Sequence, residues 1–232
     1  MTMILGIDTS TTHVGVALGV DGVLVAHTSE PAERRHAEML VPAIDALLRD
    51  AGARPGDLDA LAVGIGPGLF TGLRVGVTTA IVMARALDVP VVAVPTLDLL
   101  AFPHAADGRI VAPVVDAKRR EVFSATYATG PNGVVRRTDD AVGPAVDVAD
   151  ALDALGLDVL VVGDGAAAFP DAFAARDRLE VAGPEHAVPS VPTLVLRAFD
   201  DLAAGLAVDA DAVRPRYLRK SDAELNWERA ER

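Results

Sequence analysis

An apolar strand that ends in aspartate occurs twice in this 232-residue chain, as MILGID at residues 3–8 and as IVAPVVD at 110–116, and a similar series of elements follows each copy. In the first half, VGVAL and VLVAH flank Asp21-Gly22, a dipeptide suited to a two-residue hairpin, and predict a three-stranded meander. Helical spacing of Leu40, Ile44, Leu47, Leu48 and Ala51 predicts a helix over 35–51 that Pro42 kinks and Gly52 stops. LDALAVGIG then reads as a buried strand, 71–87 as a helix, VPVVAV as a strand and 96–102 as a short helix. The second half follows suit: EVFSATYA and GVVRRT are strands about a turn at 130–133, VADALDAL is helical and DVLVVGDG ends a buried strand. Two βββαβα units in tandem predict an α/β fold of two similar lobes, 1–105 and 106–232, with a cleft between them. A last helix over 193–207 precedes a tail, from about 208 to 232, that Pro215 keeps out of regular helix and that is expected to pack back on the first lobe.

Composition narrows the class. Hydrophobic residues make up 51% of the chain against 23% charged, enough for a sizeable core without disordered tracts. Asp8 interrupts the apolar N-terminus far short of the ~20 residues of a membrane span, no basic leader precedes it, and the chain has no cysteine, all of which fit the cytoplasm. A net charge of -12 argues against a principal nucleic-acid binder, so a role with RNA calls for a more basic partner.

Three stretches carry candidate chemistry. IDTSTTHVGVAL places Asp8, Ser10 and Thr11 at a hydroxyl-rich strand turn, where backbone N–H groups and hydroxyls approach a phosphate and an aspartate can hold hydrated Mg²⁺; a plain side-chain-capped turn reads the same way. The second half has AKRRE after Asp116, which offers no equivalent cradle, although Lys118 and Arg119 suit an anion. GDGAAAF reads as a strand-to-helix turn, and no histidine pair has the helical spacing of metal ligands. The third stretch, GIGPGLFTGLRVG at 64–76, fits neither the Walker A pattern nor the dinucleotide fingerprint. Its residues read instead as a turn shaped by Gly66, Pro67 and Gly68, an N-cap at Thr71, and a helix whose Gly72, Gly76 and Ala80 form a face that admits another backbone.

That helix also carries Leu73, Val75, Val77, Ile81, Val82 and Met83, and the preceding one carries Met39, Leu40, Val41, Ile44, Leu47 and Leu48. Neither excess fits one core-facing stripe, so the pair is expected to present an apolar patch to a partner or to a second copy of the chain.

The quoted segments, with RRHAEMLVPAIDALL, VPTLDLLA, VVDAKRREVFSA and PRYLR, resemble the bacterial TsaB (YeaZ) family from about residue 3 to 219. Gly-Pro-Gly-x-Phe-Thr-Gly-x-Arg is the most specific element, and Leu69 is a departure where many members have Ser or Pro. The resemblance implies two actin-like lobes and a non-catalytic subunit that is a paralogue of TsaD without its metal-binding histidines. It further implies pairing with TsaD through N-terminal-lobe helices, here through Met39, Leu40, Ala43, Ile44, Leu47, Arg74, Val77, Thr78 and Ile81. The ATPase TsaE engages that pair, and TsaD carries threonylcarbamoyl to N6 of the adenosine 3′ of the anticodon in tRNAs reading codons that start with A. No cofactor is required by the chain itself under this reading, with a nucleotide expected at most where subunits meet and around a vestigial Asp8, Ser10 and Thr11 loop. The competing reading from the residues is a stand-alone ATP-dependent phosphotransferase working in the cleft.

Overall fold

The computed structural model describes residues 1–130 and 133–219; parts of the expected 130–133 turn and of the tail, 220–232, lie outside the described residues. The meander forms β1 (Met3–Asp8), β2 (His13–Val20) and β3 (Val23–Pro31), joined at Asp21-Gly22 with φ of 48° and 79°. There follow α1 (His36–Asp50), β4 (Ala60–Gly64), α2 (Phe70–Leu87) and β5 (Val91–Val94). The strands align as β3-β2-β1-β4-β5, with β1 antiparallel to β2 and parallel to β4. Alternate residues build two cores: Leu5, Ile7, Val14 and Val16 face α1 and α2, whereas Ile4, Ala60 and Ala62 face away. α1 continues unbroken through Pro42.

The second half comprises β6 (Ile110–Lys118), β7 (Glu121–Ser124), β8 (Tyr127–Gly130), β9 (Gly133–Arg136), β10 (Ala141–Pro144), α4 (Ala145–Asp153), β11 (Val159–Val162), the short helices α5 (Asp164–Ala168) and α6 (Pro170–Phe173), and β12 (Leu179–Val181). Its sheet order, β10-β7-β6-β11-β12, repeats the first. EVFSATYA divides into β7 and β8, both in one register against β6; the pairing lapses beside Pro113, which has no N–H to give to a ladder.

One helix from each half crosses to the other. The short helix at the end of the first half, here α3 (Thr96–Ala101), buries Leu97 and Leu100 against Val111, Val115 and Leu160 of the second sheet. In return α7 (Val191–Ala203), expected in the second lobe, lies on the first sheet, where Leu194 and Ala198 meet Ile4, Ala60 and Val92. The physical reason lies in β1 and β2: a methyl group at Gly6 or Gly19 would stand 2.5 Å from Val195, so small residues make a floor that only a close-lying helix can cover. Ser190 caps α7 at Thr193 N, and Gly205 at φ 73° ends it short of the expected 207. The described part of the tail then returns to the first lobe, with Val208 bridged to Val91, Val213 buried and Arg216 N donating to Ile65 O at 2.7 Å.

Candidate functional site

The turn after β1 and the glycine-rich stretch form one packed unit. Asp8 Oδ1 accepts from Ser10 N at 3.1 Å and from Ser10 Oγ at 2.9 Å, while the buried Oδ2 has no hydrogen-bond donor and presses on Gly64. Burial pushes the Asp8 carboxyl up to about 6, against the pull of the two Ser10 bonds. Thr9 Oγ1 donates to Gly72 O at 2.7 Å, His36 Nε2 donates to Thr11 O at 2.9 Å, and Leu69 N donates to Ser10 O at 2.7 Å. Side chains at Gly68, Gly72 or Gly76 would collide with Ser10 or Thr9. The backbone that approaches the small face of α2 is therefore the 9–11 turn itself. Val188 and Pro189, leading into α7, close the other side and leave no room there for a water molecule beside Asp8 and Thr11. A phosphate does not fit the turn in this arrangement.

Around this unit Gly66, at φ 94°, bonds Thr96 in both directions, Pro67 follows through a cis peptide bond, and Gly68 leads into α2. Thr71 does not cap the helix. The N-cap is Leu69, held by Ser10, and Thr71 is exposed one residue inside the helix because the start of α2 is set by its contact with the turn.

The equivalent turn of the second half is open. Asp116 accepts from Lys118 N at 2.7 Å and from Lys118 Nζ at 2.5 Å, and its own N–H donates to Asp164 Oδ1 at 2.9 Å. Burial, helped by the Asp116 charge, raises the Asp164 carboxyl. Lys118, Arg119 and Arg120 all have left-handed φ, at 64°, 58° and 67°, which costs a side-chain-bearing residue about 1–2 kcal/mol. GDGAAAF forms the turn from β11 into α5. Two histidines without helical spacing do meet: the His104 and His186 rings lie 4.6 Å apart edge to face, and burial first, then His186, lowers His104. Their separation of 82 positions leaves no local spacing to find. Among the described residues, no three His, Asp or Glu side chains group as metal ligands do.

On α1 and α2 the structure corrects the choice of surface residues. Leu40, Ile44, Leu47 and Val77 are buried, the most exposed of them only 7%, because the stripe with the cleanest helical spacing is the one turned to the sheet. Met39, Ala43 and Ile81 are half-buried, and Thr78 is exposed. Arg74 is exposed yet engaged, its guanidinium 4.0 Å over the Phe70 ring and its Nε donating to Tyr217 Oη at 3.0 Å. The outward apolar positions are Val41, 61% exposed, and Val82, 57% exposed. They border a groove of about 620 Å³ between the helices, lined also by Ile44, Leu48, Thr78 and Met83. Both valines belong to the apolar excess of the sequence; the signal that separates them is their place outside the buried stripes, Val41 one position past Leu40 and Val82 midway between Ala80 and Ala84.

Two sheets of one order, exchanged helices and a sealed loop in the first half define a two-lobed actin-like α/β protein. The profile of the TsaD family, described as tRNA N6-adenosine threonylcarbamoyltransferase, matches residues 28–227. The chain is 30% identical to the Bacillus subtilis tRNA threonylcarbamoyladenosine biosynthesis protein TsaB over 97% of both chains, and 32% identical to the Escherichia coli TsaB over 95% of this chain and 96% of the relative. The crystal structure of YeaZ from Pseudomonas aeruginosa superposes with a TM-score of 0.80 at 32% identity, covering 94% of this chain and 100% of that one. The chain belongs to the TsaB (YeaZ) family and takes part in tRNA threonylcarbamoyladenosine biosynthesis.

Proposed function

We propose that the chain is a non-catalytic subunit that docks on TsaD through the outer face of α1 and α2 and that, with TsaE, is required for threonylcarbamoyl transfer to N6 of the adenosine 3′ of the anticodon. The observation that carries this reading is the exposed Val41 and Val82 pair bordering an apolar groove, in a chain whose Asp8 turn is filled by its own helix α2. In this role α2 does two jobs. Its glycine face locks the Asp8 turn, and the opposite face meets the partner.

Asp8, Ser10 and Thr11 then serve as a structural remnant of a phosphate loop, and any nucleotide belongs where the subunits meet. Work on tRNA places the complex in the cytoplasm. Without TsaD, the same face pairs two copies of the chain, because exposed apolar area seeks cover.

Reconstituted tRNA modification, with and without this chain, tests the role. The expected result is activity with TsaD, TsaE and the chain together, and none when either the chain or TsaD is left out. Tight Mg-ATP binding with turnover by the isolated chain overturns the reading in favour of a phosphotransferase.

A further inference from the structure

Residues 213–219 run between the two halves and bond to both. Val213 is buried in the first core, and Arg216 N donates to Ile65 O, just past β4, at 2.7 Å. The Arg216 side chain reaches the second half, where Nη1 pairs at 3.0 Å with Asp140 Oδ2 in the connection from β9 to β10. Tyr217 returns to α2, with its ring on Phe70 and its hydroxyl accepting from Arg74. Leu218 packs on the second core, and Arg219 Nη1 donates to Ala117 O at 2.8 Å and to Glu121 Oε2 at 3.2 Å. The Asp140 side chain is only 2% exposed, and its Oδ1 accepts from Arg136 Nη1 at 2.5 Å. Arg136 Nη2 donates in turn to Asp98 Oδ1 at 2.5 Å, on α3, the helix that the first half sends across; Tyr127 Oη donates to the same oxygen at 2.6 Å. Two arginines thus balance two aspartates over α3, the β8–β9 ribbon and the tail. A carboxylate so far from water is stable only with its cations in place, and parting the halves would strip Arg216 from it. The tail's earlier ion pair is different in kind: Arg85 and Asp211 are 60% and 76% exposed and tie it to α2 alone.

We propose that residues 213–219 are a strap that locks the two halves in one relative orientation, with the Asp140–Arg216 pair as its buckle. Two-lobed proteins close around ligands by turning one lobe on the other, and a segment bonded alternately to both lobes blocks that rotation. Through Tyr217 the same segment holds α2, so the lock also fixes where the second half stands relative to the outer face of that helix. The inference stands apart from the subunit reading, because it concerns the chain by itself.

The test measures the distance between the halves in the full chain. The sequence has no cysteine, so Asp50→Cys at the exposed end of α1 and Ala151→Cys on the exposed side of α4 take one spin label each for pulsed electron paramagnetic resonance. The doubly labelled parent is expected to give one narrow distance distribution. Adding Asp140→Asn or Arg216→Gln should broaden it about twofold, with the far-ultraviolet circular dichroism unchanged, whereas Arg85→Gln should leave it narrow. A parent distribution already broad, equal widths with and without the buckle, or the same broadening from Arg85→Gln overturns the proposal. If Asp140→Asn does not fold, Arg216→Gln decides alone, since its side chain is 43% exposed and its loss leaves Arg136 on Asp140.

Discussion

The turn after β1 and the turn after β6 hold the same place in two copies of one topology, and they differ in what lies on top of them. Over the first lie the glycine face of α2 and the lead into α7, so Asp8 is buried with one oxygen unbonded. Over the second the cover is partial: Asp116 N donates to Asp164 at the start of α5, its carboxylate is tied to Lys118 of its own hairpin, and the tip at Lys118, Arg119 and Arg120 is exposed. Repetition preserves the sheet because strand order is enforced by burial of its central strands, β1, β2 and β4 in one half and β6 and β11 in the other. The loops are free to diverge, since each answers only to its local cover.

The largest effects should separate the two faces of α1 and α2. Leu47→Glu, which puts a carboxylate in the core, should cost about 4 kcal/mol or more and leave too little folded protein to pair. Val82→Glu should change stability by no more than about 0.5 kcal/mol and abolish binding to TsaD in size-exclusion chromatography. Retained pairing by a folded Val82→Glu chain would move the interface elsewhere.

Next comes the cover of the first turn. Gly72→Ala drives a methyl group into the Thr9 carbonyl and should destabilise by about 3 kcal/mol, although alanine ordinarily favours a helix. Gly143→Ala in the second half meets nothing within 4 Å and should stay within about 0.5 kcal/mol. Urea midpoints for both variants measure the contrast, which vanishes if the turn can withdraw from α2.

The pH dependence of Asp8 ranks third. A native value of about 6 against the ordinary 3.8 means that the folded chain holds this proton more tightly than the unfolded chain. The contribution of Asp8 is therefore most favourable below about pH 4 and declines as pH rises through 6, by about 3 kcal/mol in all. Asp8→Asn should remove that slope, so the variant gains on the unaltered chain by this amount between pH 4 and 7.5. Parallel stability curves would show that water reaches the carboxyl.

The smallest effect belongs to the tail. Tyr217→Phe keeps the ring on Phe70, 4.9 Å between centroids, but loses the bond from Arg74, for about 0.5–1 kcal/mol in chemical denaturation. A loss well above that range would make Tyr217 more than a clip on α2.

Much of this molecule is legible without coordinates, and the failures are specific. Asp21-Gly22 announces its hairpin because few residues tolerate both left-handed positions. The spacing of Gly68, Gly72 and Gly76 announces a close approach, but not that the approaching backbone is the 9–11 turn. Leu40, Ile44, Leu47 and Val77 look like contact residues because apolar excess is visible in a sequence, whereas the direction of each stripe depends on how the helix rolls on its sheet. Gly6, Gly15 and Gly19 signal the seat of α7, yet in a strand a glycine also reads as a bulge or a weak point.

Local chemistry by itself determined the two strand-aspartate units, their hairpins and helices, and the glycine-rich entry to α2, since each depends on residues within a turn or two of one another. Tertiary structure decided the exchange of α3 and α7, the sealing of Asp8, the meeting of His104 with His186 and the exposure of Val41 and Val82. Those outcomes depend on which surfaces find each other across segments well separated in the chain, a choice made by burial of area and fit of shape, on which local spacing is silent.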